Sequence, residues 1–198
     1  TDVVKLMSSG GVSTPGTDVM RTQFSGGQMH QIVESAHAAG LPVTAHAHGL
    51  PAVEQAVDAG VDGVEHCSCL IDKGMLVPDR LIASMADHGV AVSGIIPPMP
   101  GMDLSEAPPA VRDFIALTGM TPDRIRELRA QMIARLNEAG VTVVTGLDAG
   151  LNPWLAHGNL PAAIDLLSEA GLTGGQVLAA ATARAAEVCG LGDRKGRL

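Results

Sequence analysis

Apolar and polar positions fall into a block that recurs along this chain. A stretch with apolar residues at helical spacing ends in Gly, and a short Val-rich apolar run follows at once. The junctions Ala39-Gly40, Ala59-Gly60, His88-Gly89 and Ala139-Gly140 lead into 41–47, 61–66, 90–96 and 141–147. Each Gly suits the left-handed position just past a helix end. A further apolar run, residues 2–7, has no helix before it. The runs are predicted strands, and their continuous apolar character is that of strands covered on both faces.

The helices between them carry start signals. Ser25 stands three residues before Gln28 as a capping box, and Met29, Ile32, Val33 and Ala36 then share one face. Pro51 and Pro78 suit first-turn positions. Thr121-Pro122-Asp123 supplies a cap, a proline and an acid, followed by Ile125, Leu128, Met132, Ile133 and Leu136 at helical spacing. Thr173 and Gln176 form a second capping box, opening a helix predicted to run to about Val188.

Strand followed by helix, five times over, predicts an α/β fold with a parallel sheet and helical crossovers. Polar residues gather at the C-terminal ends of these short strands, which favours a (β/α) barrel over a doubly wound sheet. A TIM-type barrel has eight strands. The chain is therefore expected to be a partial barrel made of the last five βα units, with no internal domain boundary. Two long loops follow strands and so belong to the active face. One, 8–24, is Gly- and Ser-rich; the other, 97–109, is Pro-rich. The Ser8-Ser9-Gly10-Gly11 stretch raises the alternatives of a backbone phosphate cradle and a lid or pocket wall. It lacks the Gly-Lys-Ser/Thr ending of a P-loop.

Composition narrows the partners. With 46% hydrophobic residues and mean hydropathy +0.24, the 198 residues read as a well-buried globular chain. A net charge of -8 argues against a nucleic-acid surface, and no apolar run reaches membrane-spanning length. The N-terminal residues lack the layout of a signal peptide. Cys67, Cys69 and Cys189 give no disulfide framework. Cytoplasmic localisation, a small-molecule substrate and neither nucleic acid nor membrane as partner are the expectations. Cys67 and Cys69 are read as a buried pair of small, soft side chains rather than a metal site.

The chemistry concentrates in Thr44-Ala45-His46-Ala47-His48-Gly49. Residues two apart on a strand share a face, so Thr44, His46 and His48 project together. With Lys5, His66 and Asp148, every predicted strand but 90–96 ends in a candidate ligand, and all converge on one mouth of a barrel. Singly, each has a plain explanation: Lys5 as a snorkelling edge residue, His66 as a core histidine beside an outward-facing Glu65, Asp148 as a helix cap. Together they resist it, because a buried Lys or Asp must be paired or coordinated.

Four segments carry a family resemblance. Val4-Lys5-Leu6-Met7 with Gly10-Gly11, Thr44 to Gly49, Gly63-Val64-Glu65-His66-Cys67 and Thr145-Gly146-Leu147-Asp148-Ala149-Gly150 resemble strands four, five, six and eight of the amidohydrolase superfamily, in its imidazolonepropionase-like and prolidase-like branch. His157-Gly158, Glu169 to Thr173, Ala181-Thr182-Ala183 and Leu191 to Gly196 resemble its last helices. The resemblance implies that residues 1–198 are the C-terminal part of a metal-dependent hydrolase barrel, without strands one to three, their His-x-His or the flanking β domain. It makes Lys5 a carboxylated lysine bridging two divalent ions, with zinc the expected metal. It also makes His46 and His66 ligands of the second ion, and Asp148 a ligand of the first and the catalytic proton carrier. His48 and His157 become substrate-binding candidates.

The implied activity is hydrolysis of a carbon-nitrogen bond, in an amide, small peptide or cyclic amide, by a metal-activated hydroxide. Two alternatives stand beside it. One is a Schiff-base lyase using Lys5; the other is a non-catalytic barrel fragment. The 198 residues alone are expected to be inactive, and the open edges of an unclosed parallel sheet favour association into a homo-oligomer.

Overall fold

The computed structural model describes residues 2–94, 109–150 and 156–197. In chain order these form β1 (Val4–Met7), α1 (Gly26–Ala38), β2 (Val43–Gly49), α2 (Leu50–Asp58), β3 (Gly63–Ile71), β4 (Gly74–Met75), α3 (Asp79–Asp87) and β5 (Ala91–Ser93). There follow α4 (Pro109–Thr118), α5 (Pro122–Glu138), β6 (Thr142–Val144), α6 (Leu160–Glu169), α7 (Gly174–Ala181) and α8 (Ala183–Val188). The Pro-rich stretch 97–108 and the end of the 90–96 run lie outside the described residues.

The sheet order is β1-β2-β3-β5-β6, every neighbouring pair parallel, with β4 antiparallel on β3. Successive parallel strands joined by helices make a partial (β/α) barrel. Among the described residues β1 and β6 each pair on one side only. The four junction glycines take left-handed φ values of 70, 85, 67 and 82° at Gly40, Gly60, Gly89 and Gly140, as helix ends of this kind require. Both capping boxes form: the Ser25 and Thr173 side chains each accept from the backbone three residues on.

Register divides the strands into two faces. Leu6, Ala45, Val64, Val92 and Val143 lie side by side and are all buried. They pack with Met29, Val53, Met85, Ile133 and Leu167 from the helices in the main core. The opposite face aligns Lys5, Thr44, Gly63, Ala91 and Thr142 in one row, and Met7, His46, Glu65, Ser93 and Val144 in the next. Hydrophobic burial thus stabilises one face and leaves the other for chemistry. Leu136 on α5 is fully buried in the helical layer. Leu136→Ala should cost about 2–5 kcal/mol through lost transfer energy and cavity formation. Urea titration reads this as a lowered midpoint; an unchanged midpoint would remove Leu136 from the core.

Two features depart from the sequence reading. The strand predicted at 61–66 continues as β3 to Ile71 and turns back into β4. The helix predicted from Thr173 to about Val188 breaks at Thr182 (φ -134°, ψ -86°) into α7 and α8. The Ala180 carbonyl, which a continuous helix would pair internally, accepts from the Thr145 amide at 3.2 Å. The break ties the last helices to the end of β6.

Candidate metal centre

His46 and His48 project from the C-terminal half of β2, as their spacing requires. His66 reaches them by a different route. Glu65 aligns with His46, and its carboxylate accepts from the Thr44 hydroxyl at 2.9 Å, so Glu65 occupies the polar face. The plain reading of His66 as a core histidine beside an outward-facing Glu65 is excluded on that ground. Simple alternation would send His66 to the opposite face. Instead its backbone turns left-handed (φ 65°), as do Cys67 and Cys69 (46° and 47°). Between the pairs Ala47↔His66 and Gly49↔Leu70, β3 advances four residues while β2 advances two. This bulge turns His66 back toward β2.

The three rings form a compact triangle. Centroids lie 4.6 Å apart for His46 and His48, and 4.7 Å for each of the other two pairs. One ring nitrogen from each can be chosen so that all lie within 4.8 Å of one another. Burial lowers the pKa of all three. It pushes His48 well down, with His66, His46 and Arg129 adding to the shift, and brings His66 to about 3, with His46, Arg129 and Lys5 contributing. Neutral imidazoles are the ligating form. The donor set therefore fits a divalent metal ion.

These shifts predict how stability depends on pH in the metal-free chain. A histidine whose folded pKa lies below the unfolded value of about 6.5 binds more protons when unfolded. Its contribution is present above that value and is lost as pH falls toward 3, the folded value of His66. Denaturant midpoints should drop steadily across that window. Midpoints that are flat there would mean that the ring is not held neutral.

The loop 8–24 closes one side of the triangle. The Nε2 of His46 donates to the Gly10 carbonyl at 3.3 Å, which leaves Nδ1 as the lone-pair nitrogen of that ring. Only glycine fits at position 10, because a Cβ there would stand 2.6 Å from the Asp18 nitrogen. Gly49 is equally constrained, since its Cβ would meet the Met20 carbonyl oxygen at 2.7 Å. The amides of Ser8 and Ser9 donate to the His46 carbonyl at 2.9 and 3.4 Å, Gly10 to Asp18 at 3.0 Å and Gly11 to the Thr17 hydroxyl at 3.2 Å. With all four amides committed, this stretch leaves none free to cradle a phosphate.

Behind His48 lies a buried cation. Arg129 of α5 is 6% exposed, donates at 2.8 Å to the Ser68 hydroxyl and donates also to the His66 carbonyl. Ser68 in turn bonds the Nδ1 of His48 at 2.8 Å, and the His48 amide donates to the Ser9 hydroxyl at 3.0 Å. Burial pushes Arg129 down to about 10, with Cys67 and Cys69 acting the other way. Those two cysteines are buried and free, their sulfurs 3.9 Å apart. Glu65, Ser68 and Arg129 were not singled out from sequence. For Arg129 a signal exists: it lies four residues after Ile125 and four before Ile133, on the apolar stripe of the helix.

The other expected site residues are Lys5, Asp148 and His157, of which the first two act electrostatically on the triangle. Lys5 is exposed on β1, aligned with Thr44, and its positive charge acts on His46 and His66. Asp148 is exposed beyond β6, in a left-handed conformation (φ 50°), and its carboxylate acts on His46. His157 is exposed beside the turn that follows Asp148, where a Cβ on Gly150 would meet its Nε2 at 3.0 Å. Among the described residues, no helix is long and apolar enough to cross a membrane.

Comparison with known proteins bears on the whole chain. The profile described as the Amidohydrolase family matches residues 1–198. An uncharacterised protein of Mycobacterium tuberculosis is 31% identical over 152 residues, which span 75% of this chain and 37% of that protein. The crystal structure of Aspergillus niger ochratoxinase superimposes with a TM-score of 0.71 at 24% identity, covering 94% of this chain and 39% of the ochratoxinase. A Xaa-Pro dipeptidase solved with methionine in its active site gives a TM-score of 0.77 at 24% identity, covering 98% and 45%. The chain thus spans less than half the length of these relatives.

Proposed function

From the premise that the chain belongs to the amidohydrolase family, we propose that the full-length protein is a metal-dependent hydrolase of carbon-nitrogen bonds, acting on an amide, small peptide or cyclic amide. The carrying observation is the convergence of His46, His48 and His66, each buried enough to stay neutral, on one small space. His46, through Nδ1, and His66 would hold one divalent ion, zinc in this reading. Lys5 as a carbamate would be shared with a second ion held also by Asp148. When bound, such ions supply Lewis acidity toward a carbonyl and lower the pKa of water toward neutrality.

The chain's own residues do the rest. Asp148 accepts a proton from the attacking water and returns it to the departing nitrogen, a role suited to a carboxylate beside the reacting atoms. His48 and His157 hold the substrate, and the 8–24 wall limits its approach. The Xaa-Pro dipeptidase name of one structural neighbour supports a small peptide as substrate.

The test is chelation and metal restoration of the full-length protein against a panel of dipeptides and N-acyl amino acids. Activity lost with chelator and regained with zinc is the expected result. Chelator-insensitive turnover would overturn the reading. Borohydride trapping of Lys5 on a carbonyl substrate would favour the Schiff-base alternative, which leaves the converging histidines without a role.

A further inference from the structure

We propose that Arg129 is a positioning residue that, through Ser68, holds His48 as the Nε2–H tautomer, so that His48 donates to an oxygen of the bound substrate and is kept from ligating metal. This rests on the hydrolase reading above for the identity of the substrate, but its structural half stands on the relay alone.

The argument follows the hydrogens. A guanidinium only donates, so Arg129 at 2.8 Å occupies one lone pair of the Ser68 oxygen. Ser68 is 3% exposed and has one proton to place. The Nδ1 of His48, 2.8 Å away, is the remaining partner of that oxygen among the described residues. If Nδ1 carried a proton, it would donate into Ser68, and the serine hydrogen would be left buried without an acceptor, which costs about 1–3 kcal/mol. If Nδ1 is bare, it accepts the serine proton, and Ser68 is fully paired. The imidazole then carries its proton on Nε2. That atom makes no hydrogen bond among the described residues and is not among their sealed, unpartnered polar atoms.

His46 provides the contrast in the same triangle. Its Nε2 donates to Gly10 and its lone pair is on Nδ1. Adjacent rings on one strand face are thereby given opposite duties, His46 to accept a metal and His48 to donate. Arg129 serves the arrangement twice, because its second bond, to the His66 carbonyl, supports the left-handed turn that brings His66 inward. A buried guanidinium without a carboxylate partner among the described residues is costly to maintain, and the relay gives it a purpose.

The test is histidine tautomer assignment by two-bond proton-nitrogen NMR. The sample is full-length protein labelled with nitrogen-15 histidine, metal-free and zinc-loaded, with the His48 signals identified by their loss in His48→Gln. The expected wild-type result is a protonated Nε2 and a bare Nδ1 on His48 in both states. Ser68→Thr, which keeps the hydroxyl, should preserve it, while Ser68→Ala and Arg129→Met should convert His48 to the Nδ1–H form or a mixture. In kinetics, Ser68→Ala should lower kcat/KM about tenfold with zinc content unchanged, and Ser68→Thr should restore it. A wild-type His48 protonated on Nδ1, or an Nε2 proton that disappears on zinc loading, would overturn the proposal without needing any variant. An unchanged tautomer in a folded Ser68→Ala protein would do so too. Should the protein show no metal-dependent hydrolysis while His48 keeps its Nε2 proton, the functional reading fails and the relay stands.

Discussion

His66→Ala in the full-length protein should lose metal and lower kcat/KM by at least about 10³-fold, the loss of several kcal/mol of charge stabilisation. His46→Ala should behave alike. Both rings offer a neutral lone pair to the same space. His48→Ala should retain the metal and change substrate parameters instead, because removing a group that binds substrate alters kcat and KM without dismantling the site. Metal analysis beside kinetics separates the two classes. If His48→Ala lost metal while His46→Ala kept it, the duties of the two rings would have to be exchanged.

That contrast also shows what sequence could and could not reveal. His46 and His48 share a face because they are two apart on a strand, which periodicity alone predicts. His66 is another matter. Its position depends on a left-handed residue and a two-residue bulge. No local signal marks the bulge, since Cys67-Ser68-Cys69 contains none of the glycines that usually accommodate such turns. The helix ends before Gly40, Gly60, Gly89 and Gly140 were legible because a Gly stands where a left-handed φ is needed, and the capping boxes because Ser25 and Thr173 bond locally. The break at Thr182 was not legible, for there the Ala180 carbonyl is paired with the distant Thr145 amide, a contact no local pattern reveals. Short β4 and helix α4 were missed for related reasons: one is two residues long, and the other begins in a Pro-rich stretch that reads as loop.

Arg129 is a case between these. Its place on the apolar stripe of α5 marks it as an anomaly, but only the folded chain shows that the guanidinium meets Ser68 and the His66 carbonyl. A charge at a core position is a warning in the sequence; the partners that make it tolerable come from β3, more than sixty residues earlier.

Metal stoichiometry should also change in Lys5→Arg. A carbamate carries two oxygens on the lysine nitrogen, the feature that lets one side chain be shared between two ions. In this chain Lys5 lies on β1, which pairs only with β2 among the described residues, and its side chain is exposed. Arginine would keep the positive charge next to His46 and His66, but it offers no oxygens with which to bridge two ions. The variant should therefore hold at most one ion where the wild type holds two, with kcat/KM reduced by about 10²-fold or more. Histidine ligation should be intact, so the remaining ion is expected at His46 and His66. Two ions per chain and a wild-type rate in Lys5→Arg would show that the bridge is not built on this lysine, and that its charge alone is what the neighbouring histidines sense.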